Sequence, residues 1–196
     1  HGVLGDAIEG GSLIVVTGTG KRFELILPDN QVFEDVTPRL ADLDGDGDNE
    51  VVTIRTDLDR GAAVAVYGLS NGQLVERAST APIGRPHRWL SIAAIADFTG
   101  DGQLEIAIVK TPHIGGVLSV LSLRGGALRP LYAPKTGYAT HFIGSTITTL
   151  ARAVDLDGDG TAELLLPDQS RRRLVALSLA RGVAEIFSHS VPARIS

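Results

Sequence analysis

Apolar and polar positions alternate along this chain in short runs, and glycine, proline or acidic residues break each run after a few positions. "LEIAIVK" places Ile106 and Ile108 on one face and Ala107 and Val109 on the other, the period-two signature of a strand. "LSIAAIADF" precedes it, and "GGVLSVLSL" and "ALRPLYA" follow, joined by a glycine turn near Arg124 to Gly126. Similar connections stand at Asn71–Gly72 and at Arg181–Gly182. Two-residue glycine turns between apolar alternations are the commonest hairpin signal. No stretch sustains a helical period. The pattern predicts an all-β protein built of four-stranded antiparallel meanders.

The grammar repeats. "ADLDGDGDNEVVTI", "ADFTGDGQLEIAIV" and "AVDLDGDGTAELLLP" put the first Asp of an acidic loop at positions 42, 97 and 155, at intervals of 55 and 58 residues. The strand before each loop is rich in small residues: Ala41, then Ala93, Ala94 and Ala96, then Ala151 and Ala153. Small side chains suit strands that converge on a crowded axis, so the expected architecture is a β-propeller of four-stranded blades. Solenoid repeats are usually shorter. Blades are expected at about 36–80, 90–133 and 147–190, with a partial one over 1–30. In that partial blade, "GDAIEG", "SLIVVTG" and "KRFELILP" read as strands two, three and four. "VPARIS" reads as the start of another blade, which makes residues 1–196 one contiguous segment of a larger ring. A complete four-bladed ring is the alternative.

Numbered from its first Asp, the first loop carries acids at positions one, three, five, seven and nine: Asp42, Asp44, Asp46, Asp48 and Glu50. The second carries Asp97, Thr99, Asp101, Gln103 and Glu105; the third carries Asp155, Asp157, Asp159, Thr161 and Glu163. A glycine follows position five in all three, at Gly47, Gly102 and Gly160. Calcium takes six to eight oxygens, and alternate side chains of a tight loop can converge on one such ion. Without a cation, carboxylates this close raise one another's pKa. An EF-hand needs Glu at position twelve, where this chain has Thr53, Ile108 and Leu166. Asp and Gly also make good turns without any metal, but three loops in register favour calcium, at two to three ions. Thr99 removes one charge from the second loop, which is expected to bind most weakly.

Composition narrows the picture further. Hydrophobic residues make up 43% and charged residues 21% of 196 residues, as in a folded domain rather than a disordered one. No apolar run is long enough to span a bilayer as a helix, and the absence of cysteine excludes disulfides and thiolate metal sites. The chain opens at His1 and has no methionine, which reads as a start after processing or truncation. The loops hold 12 of the 23 acids, leaving 11 against 18 Lys and Arg elsewhere. No basic run with interleaved aromatics supports nucleic-acid binding.

The pattern D-x-D-G-D-G-x-x-E ahead of a strand, repeated at this spacing over about residues 36 to 190, resembles the FG-GAP or VCBS repeats of calcium-binding β-propellers, integrin α-subunit heads included. Only "HFIG" echoes the Phe-Gly element of that family, so a bacterial extracytoplasmic member is the expected kind. The resemblance implies a seven-bladed ring with calcium in the loops between first and second strands.

In an up-and-down blade the acidic loops and hairpins share one end, and the long connections share the other. The long connections carry Arg85, His87, Arg88, Trp89, His113, Tyr138, His141, Phe142, Arg171, Arg172 and Arg173. Aromatic and Arg residues in loops on a rigid scaffold make binding surfaces. For any one of them a packing or solvated role competes: Trp89 can cap a blade, and Arg171 to Arg173 can be an exposed turn. The expected function is a calcium-stabilised binding or scaffold module for a protein or glycan partner. Millimolar calcium outside the cytosol suggests an extracellular or periplasmic setting. The alternative is a glycan-degrading enzyme resembling propeller polysaccharide lyases, for which Glu34, Asp35 and Asp168 are the available acids on that end. No nucleophile elbow, metalloprotease motif or phosphate loop occurs.

Overall fold

A computed structural model describes residues 8–142, 144, 145, 148 and 150–196. Among them every regular element is a strand, and no helix occurs that could cross a membrane. The chain opens with a hairpin, β1 (Ser12–Val16) against β2 (Arg22–Ile26). "GDAIEG" lies partly outside the described residues; its Gly10 bridges to Phe33 of the following sheet.

Three antiparallel meanders follow. The first contains β3 (Gln31–Phe33), β4 (Arg39–Ala41), β5 (Glu50–Asp57), β6 (Gly61–Ser70) and β7 (Gln73–Ser79). The second contains β8 (Leu90–Ala96), β9 (Glu105–Lys110), β10 (Val117–Arg124), β11 (Ala127–Pro130) and β12 (Lys135–Thr136). The third contains β13 (Arg152–Val154), β14 (Glu163–Pro167), β15 (Arg173–Ser178) and β16 (Ala184–Ser190).

The sheets stack face to face, and an apolar core fills each interface. Ile106 and Ile108 of β9 face Val52, Ile54, Val64 and Val66 of the first meander. Ala107 and Val109 face Leu164, Leu166, Val175 and Leu177 of the third. Leu13 and Leu27 cover Phe33, Ala65 and Tyr67 on the outer side of the first meander, where the Phe33 and Tyr67 rings meet edge-on at 5.6 Å. A strand between two such cores is buried on both faces, which is why β6 reads "GAAVAVYG" without polar alternation. Burial at about 25 cal/mol per Å² of apolar surface is the main force joining the sheets.

Three local readings need correction. The innermost strand of the first meander is split: β3 and β4 both pair with β5, so part of the segment read as a long connection is strand. Pro38 has no N–H to give a ladder, and between the two halves buried Glu34 accepts the Thr56 hydroxyl while Asp35 pairs with Arg39. Lys135–Thr136, also read as connection, pairs with β10. The third hairpin is not a two-residue turn at Arg181–Gly182, because Leu179 leaves the strand to enter the core and Val183 packs against it. The other two are tight: Asn71 and Gly72, with φ of 50° and 75°, and Gly125 and Gly126, with φ of 58° and 75°, have the left-handed pair of a type I′ turn.

The connections at the end away from the acidic loops are sewn to the turns beneath them. Gly137 N–H donates to the Gly116 carbonyl at 2.9 Å, and Gln169 N–H to the Gly137 carbonyl at 2.8 Å. Gly116 lies so close under Tyr138 that a Cβ would fall 1.6 Å from its carbonyl oxygen. Only glycine permits that approach.

Candidate functional site

Each acidic loop is held by the same hydrogen bonds. The first Asp accepts two glycine N–H groups: Gly45 and Gly47 at 2.8 and 3.0 Å on Asp42, Gly100 and Gly102 at 2.7 and 2.8 Å on Asp97, and Gly158 and Gly160 at 2.7 and 3.0 Å on Asp155. The position-five acid accepts the N–H two residues on, from Asp48, Gln103 and Thr161. The position-nine Glu, on the first residue of the next strand, reaches back to the position-two N–H at 2.9 Å in all three loops. These are Asx-type bonds, so the turn chemistry of Asp is used throughout.

The loops differ in what remains available. One carboxylate oxygen each from Asp42, Asp44 and Glu50 lies within 4.8 Å of the others, and Asp155, Asp157 and Glu163 form a matching group. Two oxygens about 2.4 Å from one calcium can be no more than about 4.8 Å apart, so both donor sets could hold such a cation. Asp46, Asp48 and Asp159 stand outside these groups, and the Thr161 N–H donates to Asp159. In the second loop Thr99 Oγ1 donates to Glu105 Oε1 at 3.1 Å, and no three carboxylates gather there among the described residues.

Charge is costly at the position-nine Glu of the first two loops. Burial raises the Glu50 carboxyl above the ordinary carboxylate range, the Leu43 N–H opposes it, and Asp44 and Asp46 add to the rise. Burial likewise raises Glu105, with the Phe98 N–H and Thr99 hydroxyl pulling the other way. Arg77 supplies part of the missing positive charge, 3.2 Å from Asp44, and Arg124 lies 3.7 Å from Asp101.

At the opposite end the residues singled out by sequence separate into groups. Trp89 is 3% exposed and belongs to the core between the first two meanders. It packs sheets together, the capping role weighed above, and does not line the binding face for which it was also a candidate. The Tyr138 ring is likewise in a core. Arg85, His87 and Arg88 sit in the preceding connection, where Arg88 carbonyl accepts the Ala62 N–H at 3.1 Å. Arg173 turns to Glu185 and Ser188, both at 2.7 Å, and Arg172 is exposed.

His113, His141 and Arg171 do come together. They line a cavity of about 230 Å³ with Phe142, Gln169 and Arg194. The two imidazoles meet edge-on with centroids 4.5 Å apart, and the Arg171 guanidinium lies 5.0 Å from the Phe142 ring centre. Burial, the neighbouring His113 and Arg171 lower the His141 pKa to about 4. Burial and Arg171 also lower His113.

Arg194 and Gln169 were not anticipated. "VPARIS" folds back on the "PDQSRRR" turn, with Val191 and Ile195 N–H groups each donating at 2.8 Å to the Arg172 and Arg171 carbonyls. No local pattern announces that return. The acids considered for catalysis hold local structure: Glu34 and Asp35 as above, and Asp168 by accepting Ser170, Arg172 and Arg173 within its own turn.

The FG-GAP-like repeat family matches residues 42–108, from the first Asp of the first loop into β9. No curated protein matches the chain. The glycine bonds to the first Asp and the position-nine Glu bond of the matched stretch recur at Asp155 to Glu163, beyond it. Over residues 42–108 the chain therefore carries an FG-GAP-like repeat.

Proposed function

We propose that this chain is a segment of a calcium-stabilised β-propeller that serves as an extracytoplasmic binding or scaffold module for a protein or glycan. The observation that carries the reading is the pair of three-carboxylate groups, Asp42, Asp44, Glu50 and Asp155, Asp157, Glu163, on loops of one shared design. Calcium there would neutralise the gathered carboxylates, among them Glu50, whose charge burial and its Asp neighbours disfavour, and would brace the root of each meander. Binding to the folded state alone adds stability by mass action. The second loop is the weakest of the three in this reading. The metal ends and the connection ends lie apart, so calcium acts on the fold and the connections meet the partner.

The three meanders and the hairpin are the blades in this reading. Support comes from the stacking order: β8 lies beside β13, and β7 lies between β2 and β11, so like strands follow like. The test is retention of acidic and neutral glycans on the immobilised chain, in calcium and in chelator. Calcium-dependent stoichiometric retention supports the module. Turnover of a glycan without retention points to the enzyme instead.

A further inference from the structure

The cavity between the second and third meanders contains polar groups with no partner among the described residues. His141 is 1% exposed, and its Nε2 has no hydrogen-bond partner among the described residues. The same holds for His113 Nδ1 and for Gln169 Oε1. Buried polar atoms without partners are uncommon, and each such atom raises the question of an absent ligand. All three residues line the same cavity.

The chemistry of the lining selects among ligands. Arg171 and Arg194 put two guanidinium groups at the cavity, and among the described residues no Asp or Glu lines it. Positive charge without a counter-acid favours an anion over a metal dication. Arg presents a planar fork matched to a carboxylate. His141 Nδ1 lies 2.9 Å from the Thr140 hydroxyl. When that hydroxyl donates to Nδ1, the proton of the neutral ring sits on Nε2, which becomes a donor into the cavity. Gln169 has its amide orientation set, because Nε2 donates to the Pro112 carbonyl at 3.2 Å. Its Oε1, beside Gly116, is left as an acceptor with no donor among the described residues.

An anion alone would leave Gln169 Oε1 unmatched, and a neutral sugar would leave the arginines unmatched. We infer that this cavity binds a hydroxylated carboxylate, a sugar acid such as a uronate, with the carboxylate toward Arg171 and His141 and a hydroxyl toward Gln169. This rests on the reading of the connection end as a binding face. Arg171 has a φ of +58°, a conformation non-glycine residues rarely adopt. The turn from Asp168 and the return of Ile195 hold it there, with its guanidinium over Phe142.

The test is a titration of the 196-residue chain with glucuronate, followed by the imidazole carbon-bound proton signals of His113 and His141 and by calorimetry. Glucose, acetate and zinc are run as separate arms. The expected result is saturable shifts of both imidazoles with glucuronate, none with glucose, and binding by acetate at least tenfold weaker. Arg171→Gln is expected to weaken glucuronate binding about tenfold while the melting temperature holds. Gln169→Leu, away from the charges, is expected to reduce the glucuronate advantage over acetate. Equal binding of glucose, equal binding of acetate, or shifts with zinc and none with glucuronate would each overturn the assignment. Calcium-dependent retention of a glycan with the imidazoles unmoved would overturn it too, while leaving the module reading in place.

Discussion

Leu43 and Leu156 occupy the second position of equivalent acidic loops, yet Leu43 is 2% exposed and Leu156 is 48% exposed. Leu43 enters the core between the first and second meanders, and Phe98, its counterpart, enters the core between the second and third. The position-two side chain is a plug for the interface that follows its own sheet. On the third meander that face also exposes Phe187, which is aligned with Ala176 and Leu165 across the sheet.

Leu43→Ala is expected to destabilise the chain by about 2–5 kcal/mol, the usual range for a buried leucine. Leu156→Ala is expected to change stability by less than about 0.5 kcal/mol, as for an exposed position. Denaturant unfolding of the two variants makes the comparison.

Asp97→Ala should cost about 1–3 kcal/mol even in chelator, because both its oxygens accept glycine N–H groups. The loss is expected without calcium because these bonds are the turn itself. A variant as stable as the parent in chelator would show that the bonds contribute nothing.

Gly116→Ala is expected to prevent folding, since its Cβ would fall 1.6 Å from the Tyr138 carbonyl oxygen. Gly45→Ala is the contrast. Its φ is +76° but nothing lies within 4 Å, so the cost is backbone strain of about 1–2 kcal/mol. Yield and melting temperature separate the two.

His141 should make the chain acid-sensitive. Its folded pKa of about 4 lies below the ordinary 6.5, so between those values the unfolded chain binds the extra proton. Stability from this group is complete above pH 6.5 and is lost as pH falls toward 4, by up to about 3 kcal/mol. His113, Arg171 and Arg194 are the charged or titratable groups lining the same cavity. Glu50, Glu105 and Asp35, whose carboxyls are raised, act in the opposite sense. The measurement is therefore a difference: His141→Gln should lose less melting temperature than the parent between pH 7 and 4.5.

Much of this was legible in the chain. The split of Ile106 and Ile108 from Ala107 and Val109 between two cores follows from alternation alone, and the shared loop design follows from Asp and Gly at fixed offsets. What escaped was non-local. For Trp89 the sequence left a capping role and a binding role open, because the residues it shares a core with, such as Ile108 and Val64, come from other strands. The interruption at Glu34 depends on Thr56, distant in sequence. The cavity needs Arg194 to fold back onto the turn at Arg171, and nothing near either residue encodes that meeting.

The central claim is that the acidic loops are calcium sites that hold the fold. Calorimetric titration of the chain with calcium, paired with melting curves in calcium and in chelator, tests it most directly. The expected result is two equivalents bound with a raised melting temperature, a weaker third at the Asp97 loop, and loss of one equivalent in Asp44→Asn with the chelator melting curve little changed. No heat of binding and no shift in melting temperature would contradict it, and the loops would then be turns alone.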